Sequence, residues 1–141
     1  MTSIQQLSVF TEKKPGVLAK IATILGQNGV DIQALCIADT TEFGVLRLIV
    51  DHMVPARTAL EAAGFHTSLT DVLAVGVEHH PGGLGKVLEA LEQGAIVEYC
   101  YAFLSRKSQQ AHVILRMDDN AKAAGLLENA GFRLVSAQEL F

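Results

Sequence analysis

Residues 12–21 read Glu-Lys-Lys-Pro-Gly-Val-Leu-Ala-Lys-Ile, and residues 78–87 repeat the pattern as Glu-His-His-Pro-Gly-Gly-Leu-Gly-Lys-Val. The glutamate, the proline, the first glycine and the lysine of the two copies match at a constant offset of 66 residues. A chain that repeats itself is better divided by its repeat than by its total length. We therefore predict two domains, at residues 1–71 and 72–141.

Each copy of the pattern stands between a run typical of a strand and a run typical of a helix. Residues 6–10 alternate polar and apolar side chains, as a half-buried strand does. The residues that recur at helical spacing after the first copy are Val17, Leu18, Ile21, Ile24 and Leu25, and Asn28-Gly29 is a typical helix end. Further strands are predicted at 30–38, 45–50 and 65–69, with a helix from Pro55 to Gly64 between the last two. The order of elements is β-α-β-β-α-β.

The second half repeats this order after almost no linker at Thr70-Asp71. Strands are predicted at 72–77, 96–104 and 111–117, with Ser105 to Gln110 as a polar hairpin. The first helix of this half is predicted to face inward with Leu84, Val87, Leu88 and Leu91. The second is predicted to face inward with Ala121, Ala124, Leu127 and Ala130, and Asp118-Asp119-Asn120 can cap it. Such a unit folds into a four-stranded antiparallel sheet with both helices on one face. We therefore predict an α+β chain of two tandem ferredoxin-like βαββαβ units.

The composition excludes several classes of partner. Half of the residues are hydrophobic, and the net charge is −4 with eleven dispersed lysines and arginines. A nucleic-acid-binding surface normally shows clustered basic residues, so none is expected here. No apolar run approaches the length of a membrane span and the N-terminus has no signal-peptide pattern, so we expect a cytoplasmic protein without membrane contact. The apolar composition predicts further burial between subunits, in a homodimer or a higher homo-oligomer.

Neither a metal site nor a cofactor is predicted. Cys36 and Cys100 form no Cys-x-x-Cys motif and lie in apolar runs, so they are predicted to be buried free thiols. The neighbouring side chains of His79 and His80 would point to opposite sides of an extended segment. No further ligand is spaced to complete a metal site with them.

The Pro-Gly turn offers a site for a zwitterion. Proline is predicted at the first helical position, and the N–H groups that follow it have no partner inside the helix, so they attract a carboxylate. We expect the turn at residues 15–18 and the strand start Val30-Asp31-Ile32 to lie near the same end of the sheet. Asp31 would then accept hydrogen bonds from an ammonium group. The alternative for Asp31 is an ordinary solvated turn carboxylate.

The chain resembles the ACT domain family of small regulatory amino-acid-binding modules, and in particular stand-alone proteins made of two ACT domains. The resemblance covers essentially the whole chain. The segments that carry it are Pro15-Gly16-Val17-Leu18, Pro81-Gly82-Gly83-Leu84, Asn28-Gly29-Val30-Asp31-Ile32, Ile37-Ala38-Asp39-Thr40 and Glu98-Tyr99-Cys100-Tyr101-Ala102-Phe103.

The resemblance implies domains whose sheets pack side by side, with an amino acid bound between the first loop of one unit and the second strand of its partner. The ligand-binding residues that it implies are Lys14, Pro15, Gly16, Val17, Leu18, Asn28, Val30, Asp31 and Ile32 in the first copy. In the second copy they are Pro81, Gly82, Gly83, Leu84, Ile96, Val97 and Glu98. Because Gly94-Ala95-Ile96-Val97 aligns with Asn28-Gly29-Val30-Asp31, either Glu98 substitutes from one position later or only the pocket with Asp31 is competent.

The sequence lacks the signature residues of three other functions that occur with this topology. An acylphosphatase needs an arginine in the first loop, an RNA-recognition motif needs aromatic and basic residues on its third strand, and a metal chaperone needs Cys-x-x-Cys. The sequence therefore predicts a non-catalytic regulatory sensor that binds a free amino acid and regulates an unidentified protein partner. The remaining alternative is a ligand-free ACT scaffold that mediates protein–protein interaction.

Overall fold

A computed structural model describes residues 3–39, 43–105 and 110–140. The contacts divide the chain into two compact units, Gln5–Thr70 and Asp71–Phe141 together with Met1–Ile4. The strands are β1 Ile4–Glu12, β2 Ile32–Asp39, β3 Phe43–Val50, β4 His66–Glu78, β5 Val97–Leu104 and β6 Gln110–Met117. The helices are α1 Val17–Gln27, α2 Met53–Ala62, α3 Gly83–Leu91, α4 Asn120–Asn129 and α5 Ala137–Leu140. The α+β class and the βαββαβ order are thus as predicted.

In the first unit the strands follow the order β2-β3-β1-β4. Strand β3 pairs antiparallel with β1, where Leu7 lies opposite Leu48, and antiparallel with β2, where Leu35 lies opposite the same Leu48. Since β1 and β2 are both antiparallel to β3, they run in the same direction. The end of β1 therefore lies near the end of β2, while the start of β2 lies at the other end of the sheet.

Both helices of the first unit pack on one face of this sheet and close a single core. Its buried members are Leu7, Val9, Ile21, Leu25, Val30, Leu46, Leu48, Val50, Ala56 and Leu60. Helix α2 begins at Met53, two residues before the predicted start at Pro55. It buries Ala56 and Leu60, four residues apart, whereas Ala63 lies beyond its last turn and is exposed. A proline in the first turn is tolerated because its missing N–H has no partner there.

The second unit orders its strands as β4-β6-β5 and has its own core under α3 and α4. Asp119 caps α4 by accepting the N–H of Lys122 at 3.1 Å, as the sequence predicted. Of the predicted inner residues, Val87, Leu91, Ala124 and Leu127 are buried, whereas Leu84, Ala121 and Ala130 lie at the edges of those faces and are exposed.

The last strand of the second unit is reduced to a short contact. The repeat predicts a strand after α4, but only a bridge between Val75 and Leu134 forms, and the N–H of Val135 donates to the carbonyl of Ala74 at 2.8 Å. The four-residue helix α5 follows and buries Leu140.

The boundary between the units lies inside one continuous strand. Two strands were predicted, at 65–69 and 72–77, but β4 runs without interruption through Thr70 and Asp71. Neither residue is a glycine or a proline, so nothing in the backbone chemistry ends a strand there.

The cysteines are more exposed than the sequence suggested. Cys36 is half-buried and Cys100 is exposed, because β2 and β5 are the outermost strands of their units. None of the helices described is long and apolar enough to span a membrane.

Candidate functional site

The two Pro-Gly turns have matching backbone geometry. Gly16 and Gly82 are the N-caps of α1 and α3, with φ angles of 87° and 90°, so the prolines stand before the cap and do not occupy the first helical position. A Cβ atom on either glycine would meet nothing within 4 Å. These glycines are therefore required for their left-handed conformation and not for a close approach of other atoms.

Each turn leaves two backbone N–H groups unpaired at the start of its helix. In α1 the first intrahelical bond runs from the N–H of Lys20 to the carbonyl of Gly16 at 2.9 Å. The N–H groups of Leu18 and Ala19 donate to none of the residues that the structure describes. The same holds in the second unit for Leu84 and Gly85, ahead of the bond from Lys86 to Gly82 at 3.2 Å. Free N–H groups at the positive end of a helix attract an anion.

An ion pair precedes each turn. Lys14 Nζ lies 2.7 Å from Glu12 Oε2, and the hydrogen bond to this carboxylate raises the pKa of Lys14. In the second copy His80 Nε2 lies 3.0 Å from Glu78 Oε2 while its Nδ1 lies 2.9 Å from the carbonyl of Pro81. The carbonyl first, and then the carboxylate, raises the pKa of His80. The positive charge beside the second turn thus depends on pH.

Clefts open beside both turns. In the first unit the larger encloses about 500 Å³ and the smaller about 320 Å³, and both are lined by Glu12, Lys14 and Val17. The smaller cleft adds Leu18 and Ile37 and opens toward the outer strand β2. A cleft of about 310 Å³ in the second unit corresponds to the larger one.

The strand residues predicted for the site lie away from the turn of their own unit. Ile32 pairs with Val50, whereas Glu12, which leads into the turn, pairs with Phe43 at the other end of β3. Helix α1 separates the two places by roughly 16 Å, at 1.5 Å per residue. The expectation that the turn and Asp31 share one end of the sheet is therefore wrong, because β1 and β2 are parallel.

Asp31 is held by the segment that leads into α2. Its N–H donates to Asp51 Oδ1 at 2.8 Å, and its Oδ2 accepts from Gln33 Nε2 at 3.2 Å. Asn28 is the C-cap of α1, and its side chain donates to the carbonyl of Ile24 at 2.8 Å. Val30 is buried in the core next to these residues. These contacts give Asp31 and Asn28 a structural role in the first unit.

The second unit has no carboxylate at the position of Asp31. The N–H of Ile96 donates to Asp118 Oδ1 at 2.9 Å, as the N–H of Asp31 does to Asp51, so Ile96 is the equivalent of Asp31. Val97 then corresponds to Ile32. Glu98 occupies the position of Gln33, inside an equivalent strand irregularity, and its Oε2 lies 3.5 Å from Arg116 Nε.

Two further positions were not predicted as site residues. Lys20 and Phe65 line the larger cleft of the first unit, and Lys86 and Phe132 line the corresponding cleft of the second. The sequence carries a signal for both positions, because Ala63-Gly64-Phe65 recurs as Ala130-Gly131-Phe132 and Lys20 matches Lys86 in the repeat around the turns.

The second turn is packed more tightly than the first. A Cβ atom on Gly83 would lie 2.5 Å from the carbonyl oxygen of Glu78, although its counterpart Val17 carries a full side chain. Within the described ranges, no group of three histidine, cysteine or acidic side chains is arranged to hold a metal ion.

Comparison with known proteins identifies the family. The family model described as an ACT domain pair matches residues 1–141. The solved structure of protein BT0572 from Bacteroides thetaiotaomicron is 34% identical, with 99% of this chain and 96% of that chain covered and a TM-score of 0.91. The ligand-free regulatory subunit of aspartate kinase from Thermus thermophilus is 20% identical over 92% and 93% of the chains, with a TM-score of 0.65. A search of curated proteins finds no match.

Proposed function

The chain belongs to the ACT domain family as an ACT domain pair, and from that premise we propose that it is a non-catalytic regulatory protein that binds a free amino acid at its Pro-Gly turns. The domains of this proposal are residues 1–71 and 72–141, and its cellular location is the cytoplasm. The observation that carries it is the matched pair of unpaired N–H groups at each turn, on Leu18 and Ala19 and on Leu84 and Gly85.

The carboxylate of the ligand would bind at the turn. The unpaired N–H groups supply hydrogen bonds, and the positive end of the helix dipole adds favourable electrostatics. Lys14 and His80 add a cation in equivalent places. The residues assigned to this part of the two sites are Lys14, Pro15, Gly16, Val17 and Leu18, and Pro81, Gly82, Gly83 and Leu84.

The amino group of the ligand would bind to a second copy of the chain. Asp31 lies at the other end of the unit from the turn at Pro15, so this turn and Asp31 can form one site only if they come from different copies of the chain. In the proposed homo-oligomer, the strand start Val30-Asp31-Ile32 of one copy faces the turn of another. Ile96, Val97 and Glu98 provide the corresponding strand start, where a hydrophobic residue replaces the carboxylate at the position of Asp31.

Exposed apolar side chains on β2 support an oligomer. Leu35 and Ile37 are 56% and 48% exposed, although they lie on the same face as the buried Leu48 and Leu46 opposite them. A second copy that covers this outer strand would bury them. The same surface also supports the second candidate function, a scaffold that binds another protein and uses no ligand.

Thermal unfolding against a panel of all proteinogenic amino acids at millimolar concentration tests the proposal. A ligand at a hundred times its dissociation constant adds about 2.7 kcal/mol, which raises the midpoint by several degrees. The expected result is a shift with one or a few amino acids. A panel with no shift at all would leave the scaffold as the function.

A pair of variants then locates the carboxylate site. Leu18→Pro removes one unpaired N–H in the first helical turn, where proline is tolerated, while Leu18→Ala removes the side chain and keeps the N–H. We expect Leu18→Pro to weaken amino-acid binding at least tenfold and Leu18→Ala to weaken it far less. Circular dichroism confirms that both variants are folded. Equal affinities of the two variants would reject the backbone site.

A further inference from the structure

The larger cleft of the first unit shares Glu12, Lys14 and Val17 with the smaller cleft, but it extends to Lys20 and Phe65 and not to the outer strand β2. It is bounded by the end of β1, the start of α1, the start of β3 and the connection between α2 and β4. Its volume of about 500 Å³ lies within the usual range of small-molecule sites, roughly 300–1,000 Å³. We propose that this cleft is a second ligand site, which binds a small aromatic carboxylate.

Three phenylalanines from different elements form the apolar part of the cleft. Phe10 comes from β1, Phe43 from β3 and Phe65 from the segment after α2. Phe10 is 47% exposed and Phe43 is 57% exposed. Exposed aromatic side chains that line one cavity favour a ligand with a flat apolar surface. Such a ligand would bury the rings, and stacking or edge contacts between rings add to the free energy gained from that burial.

The charges of the cleft favour an anion. Lys14 and Lys20 line it, and Glu12, the one carboxylate among the lining residues that the structure describes, already lies 2.7 Å from Lys14 Nζ. Lys20 Nζ lies 5.7 Å from the centre of the Phe65 ring. A ligand whose ring contacts Phe65 can therefore direct a carboxylate to the ammonium group of Lys20. An aromatic acid should for this reason bind more tightly than a neutral aromatic compound.

The second unit provides an internal comparison. Its corresponding cleft keeps Lys86 and Phe132 in the places of Lys20 and Phe65. Gln110 pairs with Glu78 as Phe43 pairs with Glu12, so a glutamine replaces the phenylalanine at this position. Gly76 replaces Phe10. The second cleft thus retains the cation but has lost two of the three rings, and the aromatic site is assigned to the first unit alone.

Indole-3-acetate is a direct probe of this site. The chain contains no tryptophan, so the fluorescence anisotropy of the indole reports binding to the full-length protein without a background from the same chromophore. We expect saturable binding of one equivalent per chain. Tryptamine, which carries an ammonium group in place of the carboxylate, should bind at least tenfold more weakly.

Matched variants assign the binding to the first unit. Lys20→Gln and Phe43→Gln should each weaken indole-3-acetate binding at least fivefold, and Lys20→Arg should retain it. The equivalent change Lys86→Gln in the second unit should alter the affinity less than twofold. All of these positions are exposed, so the variants are expected to fold, and an unchanged thermal midpoint verifies this.

Three outcomes would overturn the proposal: no saturable binding, equal binding of tryptamine, or an equal loss with Lys86→Gln. A competition experiment separates this site from the amino-acid site. An amino acid that raises the thermal midpoint should leave the affinity for indole-3-acetate within twofold, and displacement would reject a separate site. If no amino acid binds at all, the titration of indole-3-acetate still shows whether the larger cleft binds an aromatic carboxylate.

Discussion

Asp31 and Asp51 are joined by two reciprocal hydrogen bonds. The N–H of Asp31 donates to Asp51 Oδ1 at 2.8 Å, and the N–H of Asp51 donates to the carbonyl of Asp31 at 3.3 Å. Ile96 and Asp118 repeat the arrangement in the second unit, at 2.9 and 3.1 Å. The carboxylate of the second residue in each pair, Asp51 or Asp118, therefore fixes the start of the outer strand, whatever side chain stands at the first position.

This arrangement predicts unequal effects of two alanine substitutions. Asp51→Ala removes an ionised acceptor from a partly buried N–H and should lower the free energy of unfolding by about 1–3 kcal/mol. Asp31→Ala leaves both backbone bonds in place and should cost less than about 1 kcal/mol. Urea unfolding of the two variants measures the difference, with Asp118→Ala as the matched control in the second unit. A larger loss with Asp31→Ala would contradict the assignment.

Two glycines of α3 should respond in opposite ways to alanine. At Gly83 the added Cβ meets the carbonyl oxygen of Glu78 at 2.5 Å, so we expect Gly83→Ala to destabilise the protein by about 1–3 kcal/mol. At Gly85 nothing lies within 4 Å of the added Cβ, and Gly85→Ala should stabilise the helix by about 0.5–1 kcal/mol. Thermal unfolding of the two variants checks the signs, and two shifts of the same sign would refute the prediction.

His80 should titrate above the usual histidine pKa of about 6.5. Because its pKa is raised, its contribution to stability is complete below that usual value and is lost as the pH rises through the higher value of the folded protein. The NMR chemical shifts of the imidazole report the midpoint. Glu78→Gln replaces the carboxylate beside His80 by a neutral amide and should lower the midpoint, whereas Glu12→Gln, the same change in the first unit, should leave it unchanged.

His112 should make the protein less stable in mild acid. It is 5% exposed, its ring lies edge-on to Phe103 with centroids 5.4 Å apart, and its Nδ1 has no hydrogen-bond partner among the residues described. Burial first, and then the positive charge of Arg133, lowers its pKa, while Glu139 opposes them. Its stabilising contribution is therefore present above a pH of about 6.5 and is lost as the pH falls through the lowered value.

A substitution that cannot ionise tests this expectation. We expect His112→Leu to reduce the loss of stability between about pH 6.5 and pH 5, measured by urea unfolding at each pH. His80→Gln serves as the exposed control and should preserve that loss. If His112→Leu and the unsubstituted protein show the same pH profile, a different group is responsible.

Local patterns in the sequence predicted the elements well. The repeat around Pro15 and Pro81 identifies two similar halves, and helical spacing identifies Ile21 and Leu25 as core residues. Such patterns act over a few residues and depend on the local spacing of apolar side chains. The same reasoning failed for Leu84, which has the correct spacing but faces away from the core in the first turn of α3.

The parts of the site that depend on register were not predictable from a constant offset. Ile96 takes the place of Asp31 at an offset of 65, one less than the offset of 66 at the turns, whereas Gln110 takes the place of Phe43 at an offset of 67. Such shifts cannot be located from the sequence pattern, because the loops between helices and strands tolerate insertions and deletions. The cleft around Phe65 was also missed, because its lining comes from four segments that only the folded chain brings together.

The two Pro-Gly turns share their backbone geometry but differ in the cation beside them. Their φ angles differ by only a few degrees, while Lys14 in one copy corresponds to His80 in the other. One half of the polypeptide therefore carries a permanent charge at its turn, and the other half carries a charge that follows the proton concentration. In the proposed function, binding of the ligand carboxylate at the second turn would therefore weaken as the pH rises and His80 loses its charge, whereas binding at the first turn would keep the charge of Lys14.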